Sequence, residues 1–267
     1  MKLVITGSSS GIGKFLVDSL TAKGQVVCRL ARSPQDGFGF QCDVSDWPAV
    51  QKCAKSVART WQAVDSLICC AGIQDPIGPA MDIKPADWQS ALATNLNGTF
   101  FTIRAFYPLL RKAGRRAKII CFSGGGATGP RPNFAAYGVS KAGVVRLVET
   151  LAAEWQRLPL DINAVAPGAI FTRMTEQVLA HGAVAAGKAE FERASKQPRD
   201  SSAQLEKVLG LVEFLLSSKS DGITGKLISA AWDPWEKLAE FKQDLNSDIY
   251  TLRRIVPKDR GKAWGEK

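Results

Sequence analysis

The chain has 267 residues, the length of one large domain with a full core, and its 45% hydrophobic and 22% charged residues are ordinary for a globular protein. Its net charge of +10 is compatible with an anionic cofactor, an anionic substrate or nucleic acid. The sequence lacks the dense runs of Lys and Arg interleaved with aromatics that are typical of nucleic-acid binding. No apolar run approaches the length of a membrane span. The basic end, residues 250–267, is interpreted as solvated surface.

The start of the chain and its cysteines suggest the compartment. A strand begins at Lys2, which leaves no room for a signal peptide, so we expect a cytoplasmic protein. All 6 cysteines lie in the first half of the chain, none forms a Cys-x-x-Cys pair, and His181 is the single histidine. We therefore expect reduced core thiols and no metal site.

The first predicted elements form a phosphate site. Residues 2–6 are a short apolar strand, and a glycine-rich turn then opens an amphipathic helix. Glycines let a ligand approach the backbone closely, and the N–H groups and dipole at a helix start favour an anion. The spacing Gly-x-x-x-Gly-x-Gly differs from the commoner dinucleotide motif. Dinucleotide binding is assigned here to Thr6, Gly7, Ser9, Ser10, Gly11, Ile12 and Gly13.

The second predicted strand, residues 25–31, indicates which cofactor binds. A dinucleotide fold reads the adenosine ribose at the end of this strand, where an acid would repel a 2′-phosphate. This chain has Arg32 there, and a guanidinium can pair with that phosphate. The sequence therefore favours NADP, with NAD possible. The alternative is that Arg32 is a surface residue in a turn before Pro34.

The next elements continue the cofactor side of a sheet. The link to a third strand at 38–43 is too short for a full helix, and Asp43 and Val44 end that strand where an adenine would lie. Asp46 is predicted to cap a helix that runs through Val57. A fourth strand, residues 64–69, is followed by small residues that allow close approach to a ribose: Cys70, Ala71 and Gly72.

A long helix is predicted over residues 87–112. Its segment 100–110 is apolar nearly all round, so one face can cover the sheet and the other needs a partner. We therefore expect a homodimer or homotetramer. Asn95 lies among apolar residues, where a buried amide requires hydrogen-bond partners. Structural capping and a catalytic water site are both compatible with that position.

Tyr137 and Lys141 are the candidate catalytic pair. A fifth strand, residues 117–122, ends in Ser123 and three glycines, and a helix that carries the pair follows. Residues four apart lie on one face of a helix, so the phenol and the ammonium are neighbours. A cation beside a tyrosine lowers its pKa toward the working range of a general acid/base. Chance also produces this spacing in ordinary helices.

The rest of the chain completes the predicted sheet. A sixth strand at 161–166, a helix at 205–216 and a last strand at 226–230 continue the alternation of strand and helix. This predicts an α/β fold with a doubly wound parallel sheet. Residues 173–198 suit a mobile substrate lid. The domain is placed at 1–231, and the tail, 232–267, is expected to form a helix with Leu238, Phe241 and Leu245 and to pack on the body or a neighbouring subunit.

Together these motifs resemble those of the short-chain dehydrogenase/reductase family, from Lys2 to about Ala230. The resemblance implies a Rossmann fold and NAD(P)-linked interconversion of an alcohol and a ketone. It implies that Tyr137 is the general acid/base, that Lys141 lowers its pKa and holds the nicotinamide ribose, and that Asn95 holds a relay water. It also implies cofactor contacts beyond the first turn at Arg32, Asp43, Val44, Cys70, Ala71, Gly72, Asn95, Tyr137, Lys141, Pro167, Gly168, Ile170 and Thr172.

Two departures from the family pattern affect the site. The family usually has asparagine where this chain has Cys70, which removes an amide contact to the cofactor ribose. The family's substrate-binding serine falls on Gly124. We expect the glycine run to let Ser123 present its hydroxyl near Tyr137, with Thr128 as a further alternative. The leading hypothesis is therefore an NADP-dependent oxidoreductase for a secondary alcohol or ketone; the alternative is a cofactor-binding protein with little catalysis and a redox-sensing or scaffold role.

Overall fold

A computed structural model describes residues 1–33 and 35–264, so Pro34 and the last three residues lie outside it. Within the described chain, seven parallel strands form one sheet in the order β3-β2-β1-β4-β5-β6-β7. The strands are β1 (Lys2–Thr6), β2 (Val26–Ala31), β3 (Gly39–Gln41), β4 (Ser66–Cys69), β5 (Ala117–Phe122), β6 (Leu160–Ala166) and β7 (Leu227–Ser229). The predicted doubly wound parallel sheet is confirmed.

Helices cover both faces of this sheet. They are α1 (Gly11–Ala22), α2 (Trp47–Thr60), α3 (Pro85–Leu92), α4 (Gly98–Leu110), α5 (Ala135–Glu154), α6 (Arg173–Ala186), α7 (Lys188–Lys196) and α8 (Ser202–Leu216). The central strands are apolar at nearly every position because both of their faces are buried. One core cluster packs α2, α4 and α5 against the sheet, and the other packs α1 and α8 against the opposite face.

The predicted helix over residues 87–112 is divided into three parts. A wide π-helical turn, Ala93–Asn97, separates α3 from α4. The turn contains Asn95, whose side chain is fully buried and bonded to other elements. Such turns often occur at functional sites, and hydrophobic periodicity gave no sign of this one. Phe100 on α4 is 38% exposed, and the expected homo-oligomer stays a prediction.

Two further local expectations are corrected by the structure. The third strand is confined to Gly39–Gln41, the residues in register with β2, and Phe38 and Cys42 each add one backbone hydrogen bond to β2 at its ends. Asp46 does precede α2, but its side chain makes no capping hydrogen bond. Pro48, in the first turn of α2, supplies a helix-compatible φ instead.

The tail packs on the body without forming the expected helix. Short 3₁₀ turns occur at Trp235–Lys237, Asp244–Asn246 and Pro257–Arg260, although Leu238 and Leu245 are buried as predicted. The body also binds the backbone beyond these turns, since Lys226 Nζ donates to the carbonyls of Ser247 and Ile249. The Leu227 N–H donates to the carbonyl of Tyr250 at 2.8 Å. The tail therefore runs as a strap beside β7.

No helix in the described chain has the length and apolarity needed to cross a membrane.

Candidate active site

A cavity of about 1130 Å³ opens at the carboxyl edge of the sheet, where β4, β5 and β6 end. Ligands of doubly wound sheets bind at this edge. One side of the cavity faces the glycine-rich turn before α1, and the other faces the segment 173–198. The sequence-predicted residues that line it are Ile12, Cys70, Gly72, Ser123, Tyr137, Lys141, Pro167, Gly168, Ile170 and Thr172.

Tyr137 and Lys141 lie together at the bottom of this cavity, as their spacing predicted. Both side chains are buried, and Lys141 Nζ is 5.7 Å from the centroid of the Tyr137 ring. The ammonium donates to the carbonyl oxygen of Phe122, at the end of β5, over 2.9 Å. Burial lowers the pKa of Lys141 to about 8, so the lysine is still charged at neutral pH. The pair can hold and move a proton beside the strand ends.

The ionisation of Tyr137 depends on two opposing effects. Burial raises the pKa of the phenol, because a buried phenolate loses its hydration. The guanidinium of Arg131 opposes this rise in pKa, because a nearby cation favours the phenolate. The sequence drew attention to Lys141 as the cation beside the tyrosine, whereas the structure adds a second one.

The side chain of Asn95 joins two walls of the site. Its Nδ2 donates to the carbonyl of Ile73 at 2.8 Å and to Ser140 Oγ at 2.9 Å, and its Oδ1 accepts from the N–H of Ile73 at 2.8 Å. Both amide hydrogens are therefore used in tying the segment after β4 to α5. In this structure the Asn95 side chain has a structural role, because its hydrogen bonds hold two segments of the chain together. The relay water stays a prediction.

Position 124 faces Tyr137, but a tyrosine oxygen fills the space that a side chain would need. A Cβ atom placed on Gly124 would lie 2.2 Å from the Tyr137 hydroxyl oxygen. Ser123 does not supply the missing hydroxyl in this structure, because its Oγ is buried and has no hydrogen-bond partner within the described chain. Adjacent residues at a strand end point to opposite faces, which explains why the expected bond from Ser123 to Tyr137 is absent.

The turn before α1 has the features of an anion site. Within the described chain, the N–H groups of Gly11, Ile12 and Gly13 have no hydrogen-bond partner. Ser10 precedes the helix without capping it, and no acidic residue lies in the first turn. Free donors at the start of a 12-residue helix fit the diphosphate of a dinucleotide. The residues present therefore fit the cofactor that the motifs imply.

Close backbone packing joins this turn to the segment after β4. A Cβ on Gly13 would lie 2.2 Å from the carbonyl oxygen of Gly7, so only glycine fits there. Gly7 has a φ of +68°, and a Cβ on it would lie 2.7 Å from the backbone nitrogen of Ala71. Thr6 Oγ1 accepts from that same N–H at 3.2 Å. Residues 6–13 and 70–72 thus form one surface.

The adenosine end of the predicted site lies beyond the cavity wall. Arg32 is exposed directly after β2, and its guanidinium has no partner among the described residues. The carboxylate of Asp43 accepts from the N–H and Oγ of Ser45, so it caps a turn. Val44 packs against the backbone of Gly98, where a Cβ would lie 2.6 Å from Val44 Cγ2. Arg32 is therefore the side chain here that is available to an anionic ligand.

The segment after β6 connects the cavity to α6. Gln204 Nε2 donates to the carbonyl of Pro167 at 2.6 Å, and Ile170 is buried. Thr172 caps α6, since its Oγ1 accepts from the N–H of Met174 at 3.3 Å. The insertion at 173–198 folds as α6 and α7 over the cavity. Its movement as a lid stays a prediction.

Sequence reasoning missed a polar cluster above Tyr137. Arg131 donates from Nε and Nη2 to Glu190 Oε2 on α7, at 3.2 and 2.8 Å. Its guanidinium lies 3.8 Å from the ring centroid of Phe134 and 5.7 Å from that of Tyr137. No local pattern indicates a contact between residues 59 apart in the chain. The only signal was an arginine between two prolines shortly before the helix that carries Tyr137 and Lys141.

Comparison with known proteins gives consistent results. A family model described as enoyl-(acyl carrier protein) reductase matches residues 8–230. The chain is 32% identical to D-threitol dehydrogenase from Mycolicibacterium smegmatis over 64% of this chain and 70% of that protein. It is 30% identical to gluconate 5-dehydrogenase from Gluconobacter oxydans over 85% of this chain and 91% of that protein.

The fold has also been observed in solved structures. A short-chain dehydrogenase/reductase from Saccharomyces cerevisiae superposes with a TM-score of 0.77 at 23% identity, and the match covers 87% of this chain and 96% of that one. At this level of identity the likeness concerns the fold alone. The fold of the chain is therefore a known architecture.

Proposed function

The chain belongs to the short-chain dehydrogenase/reductase family, and we propose that it is an NADP-dependent oxidoreductase that interconverts a secondary alcohol and a ketone. Its relatives are dehydrogenases that act on CH–OH groups, and the family uses NAD(P). The observation that carries the proposal is the buried Tyr137–Lys141 pair at the carboxyl edge of the sheet. Tyr137 is proposed as the general acid/base.

The proposed proton transfer uses groups that the structure brings together. In the reductive direction the Tyr137 hydroxyl donates its proton to the carbonyl oxygen, and in the oxidative direction its phenolate accepts the hydroxyl proton. Lys141 makes the phenolate less costly through its positive charge. Phe122 holds that ammonium with its carbonyl oxygen, which leaves two N–H donors for a ribose or a water. A bound nicotinamide supplies or accepts the hydride.

The preference for NADP is proposed on the basis of Arg32. The free N–H groups of residues 11–13 would hold the diphosphate of either cofactor, so they do not discriminate. The 2′-phosphate is the group that distinguishes NADP. Arg32 is exposed after β2, and its guanidinium has no ion-pair partner among the described residues. A guanidinium and a phosphate form strong charge-assisted hydrogen bonds. We therefore expect NADP to bind more tightly than NAD.

A second candidate function has support from one observation. The tyrosine hydroxyl lies where a substrate-binding serine side chain would begin, because residue 124 is glycine. A cofactor-binding protein with little catalysis, in a redox-sensing or scaffold role, would tolerate that change. Such a protein would bind NADPH and turn over none of the substrates offered.

Substitution of the proposed acid/base tests the function. The purified protein is assayed in both directions with NADP(H) against polyols, sugar acids and hydroxyacyl thioesters, together with Tyr137→Phe and Tyr107→Phe. We expect Tyr137→Phe to lower kcat by about two to four orders of magnitude while NADPH affinity, measured by fluorescence, is retained. Tyr107 stacks on Trp155 away from the cavity, so Tyr107→Phe should leave kcat unchanged.

Two results would contradict this proposal. A Tyr137→Phe variant with more than a tenth of wild-type kcat would remove the tyrosine from the acid/base role. NADPH binding without turnover of any class of substrate would favour the second candidate function.

A further inference from the structure

Tyr137 lies between two cations. Lys141 Nζ and Arg131 Cζ are each 5.7 Å from the centroid of the tyrosine ring. Lys141 belongs to the same helix, whereas Arg131 comes from the loop that precedes it. The other side chains packed around the ring are apolar, so they offer few dipoles that would stabilise or screen charge there. They are Ile77, Phe134, Val178, Ala186 and Ala194.

Arg131 is held by hydrogen bonds in a fixed orientation. Its Nε and Nη2 donate to Glu190, and only 16% of each side chain is exposed. Gln74 is buried, and with its amide oxygen turned toward the guanidinium it accepts from Nη1 and Nη2 of Arg131 at 3.2 and 3.0 Å. Because a guanidinium has five N–H donors in a rigid plane, these contacts fix both its position and its tilt.

The same contacts tie the insertion to the catalytic helix. Glu190 lies on α7. With its amide in the orientation above, Gln74 Nε2 donates to the carbonyl of Met174 on α6 at 3.1 Å. Both helices of residues 173–196 therefore contribute to the arrangement around Arg131. The ion pair between Arg131 and Glu190 lies beside the Tyr137 ring, where the charge of Arg131 can act on the phenol.

The charged and ionisable groups around Tyr137 come from six parts of the chain. Arg131 lies in the preceding loop, Lys141 lies one turn along α5, and Glu190 faces Arg131 from α7. Behind Lys141 are thiols of β4, β5 and the segment after β4: Cys69, Cys121 and Cys70. Of these groups, Arg131 is the cation on the substrate side of the ring.

On the premise that Tyr137 is the acid/base, we propose that Arg131 is a positioning residue that compensates for the serine missing at position 124. Its positive charge stabilises the phenolate of Tyr137 together with that of Lys141, and Glu190 and Gln74 keep the guanidinium in place. A serine at position 124 would bring a hydrogen-bond donor to the tyrosine oxygen in addition to its contact with substrate. Arg131 takes over the first of these two roles, and it does so by charge. The guanidinium also opposes the increase in the pKa of Tyr137 that burial causes.

Direct titration of the phenol tests this proposal without a known substrate. The chain has only 3 tyrosines, so subtracting the ultraviolet tyrosinate signal of a Tyr137→Phe protein isolates the ionisation of Tyr137. We expect Arg131→Gln to move its midpoint to higher pH and Arg131→Lys to keep it near the wild-type value. Arg193→Gln is the matched control, because Arg193 pairs with the other oxygen of Glu190 but is 69% exposed; it should leave the midpoint unchanged.

Turnover gives a second measurement once a substrate is found. Oxidation requires the phenolate, so kcat/KM for Arg131→Gln should fall roughly tenfold at neutral pH and recover as the pH is raised. A merely structural defect would lower kcat/KM equally at every pH. Loss of activity in Tyr137→Phe concerns the proposed function, and the titration midpoint concerns Arg131, so the two can fail separately.

An unchanged Tyr137 midpoint in Arg131→Gln would overturn the proposal. If that variant does not fold, Glu190→Gln decides the matter, since it removes the counter-anion and retains an oxygen that can accept from Arg131. The midpoint should then shift to lower pH. A midpoint that stays in place or rises in Glu190→Gln would contradict the role of Arg131.

Discussion

The proposed cofactor side and the proposed substrate side of the cavity are built in different ways. On the cofactor side, backbone N–H groups at the start of α1 and two close glycine contacts form the surface, and all of them come from residues 6–13 and 70–72. On the substrate side, the side chains of Gln74, Arg131 and Glu190 meet from three distant parts of the chain. A surface made by local backbone follows from a local motif, whereas a surface made by distant side chains does not.

Tyr137 lies at the boundary of these two regions. Its position follows from helix spacing relative to Lys141, as on the cofactor side. Its surroundings depend on Gly124 and Arg131, as on the substrate side. Substitutions on either side of the tyrosine therefore test whether the two regions are as different as they look.

The largest effect is expected from Gly124→Ser. The added Cβ would lie 2.2 Å from the Tyr137 hydroxyl oxygen, so the tyrosine must move. A displacement of about 1 Å at a reacting group can cost about 100-fold in rate, and we expect a loss of that order in kcat with NADPH affinity retained. Gly129→Ser is the control, since a Cβ there meets nothing within 4 Å.

An increase in kcat for Gly124→Ser would reverse this interpretation. It would show that Tyr137 retreats to make room and that a serine at this position works as it does in the family. The substrate side would then be a variant of the usual arrangement, and Arg131 would have no deficit to compensate.

A smaller effect, confined to cofactor choice, is expected from Arg32→Asp. A charge-assisted hydrogen bond contributes about 1.5–3 kcal/mol, so its loss should weaken NADP binding roughly tenfold to a hundredfold relative to NAD. Titration with both cofactors measures the ratio. Arg157→Asp makes the same charge change in the exposed turn between α5 and β6, at the opposite edge of the sheet, and should change neither affinity. Equal weakening for both cofactors in Arg32→Asp would show that Arg32 does not contact the 2′-phosphate.

Features that depend on local sequence were predicted well, and features that depend on contacts between distant residues were not. The bounds of β5 and the pairing of Tyr137 with Lys141 were predicted correctly, because strand hydrophobicity and helix spacing are local properties. The π-helical turn at Asn95 was missed, since it depends on hydrogen bonds to Ile73 and Ser140 far along the chain. The tail helix was wrong: residues 235–246 form short 3₁₀ turns, in which the N–H groups of Leu238 and Phe241 bond three residues back instead of four.

Ser123→Ala should have the smallest effect, and it tests the sequence hypothesis most directly. Ser123 Oγ is buried without a partner, so its removal deletes an unsatisfied polar group, and the free energy of unfolding should change by less than about 1 kcal/mol. The rate should stay within about twofold of wild type if the hydroxyl touches neither Tyr137 nor substrate. Ser140→Ala is the matched buried serine. Its Oγ accepts from Asn95 and donates to the carbonyl of Tyr137, so its loss should destabilise the fold by about 1–3 kcal/mol.

Denaturant unfolding and steady-state kinetics on the two serine variants separate the possibilities. If Ser123→Ala loses rate strongly while its unfolding free energy is unchanged, the glycine run must rearrange when substrate binds and present Ser123 to the reacting oxygen. That outcome would return the hydroxyl to the mechanism and leave Arg131 as an auxiliary charge. If both the rate and the stability are unchanged, Ser123 is a residue of the strand end, and the stabilisation of the phenolate rests on Lys141 and Arg131 because no side-chain hydroxyl faces the tyrosine from positions 123 and 124.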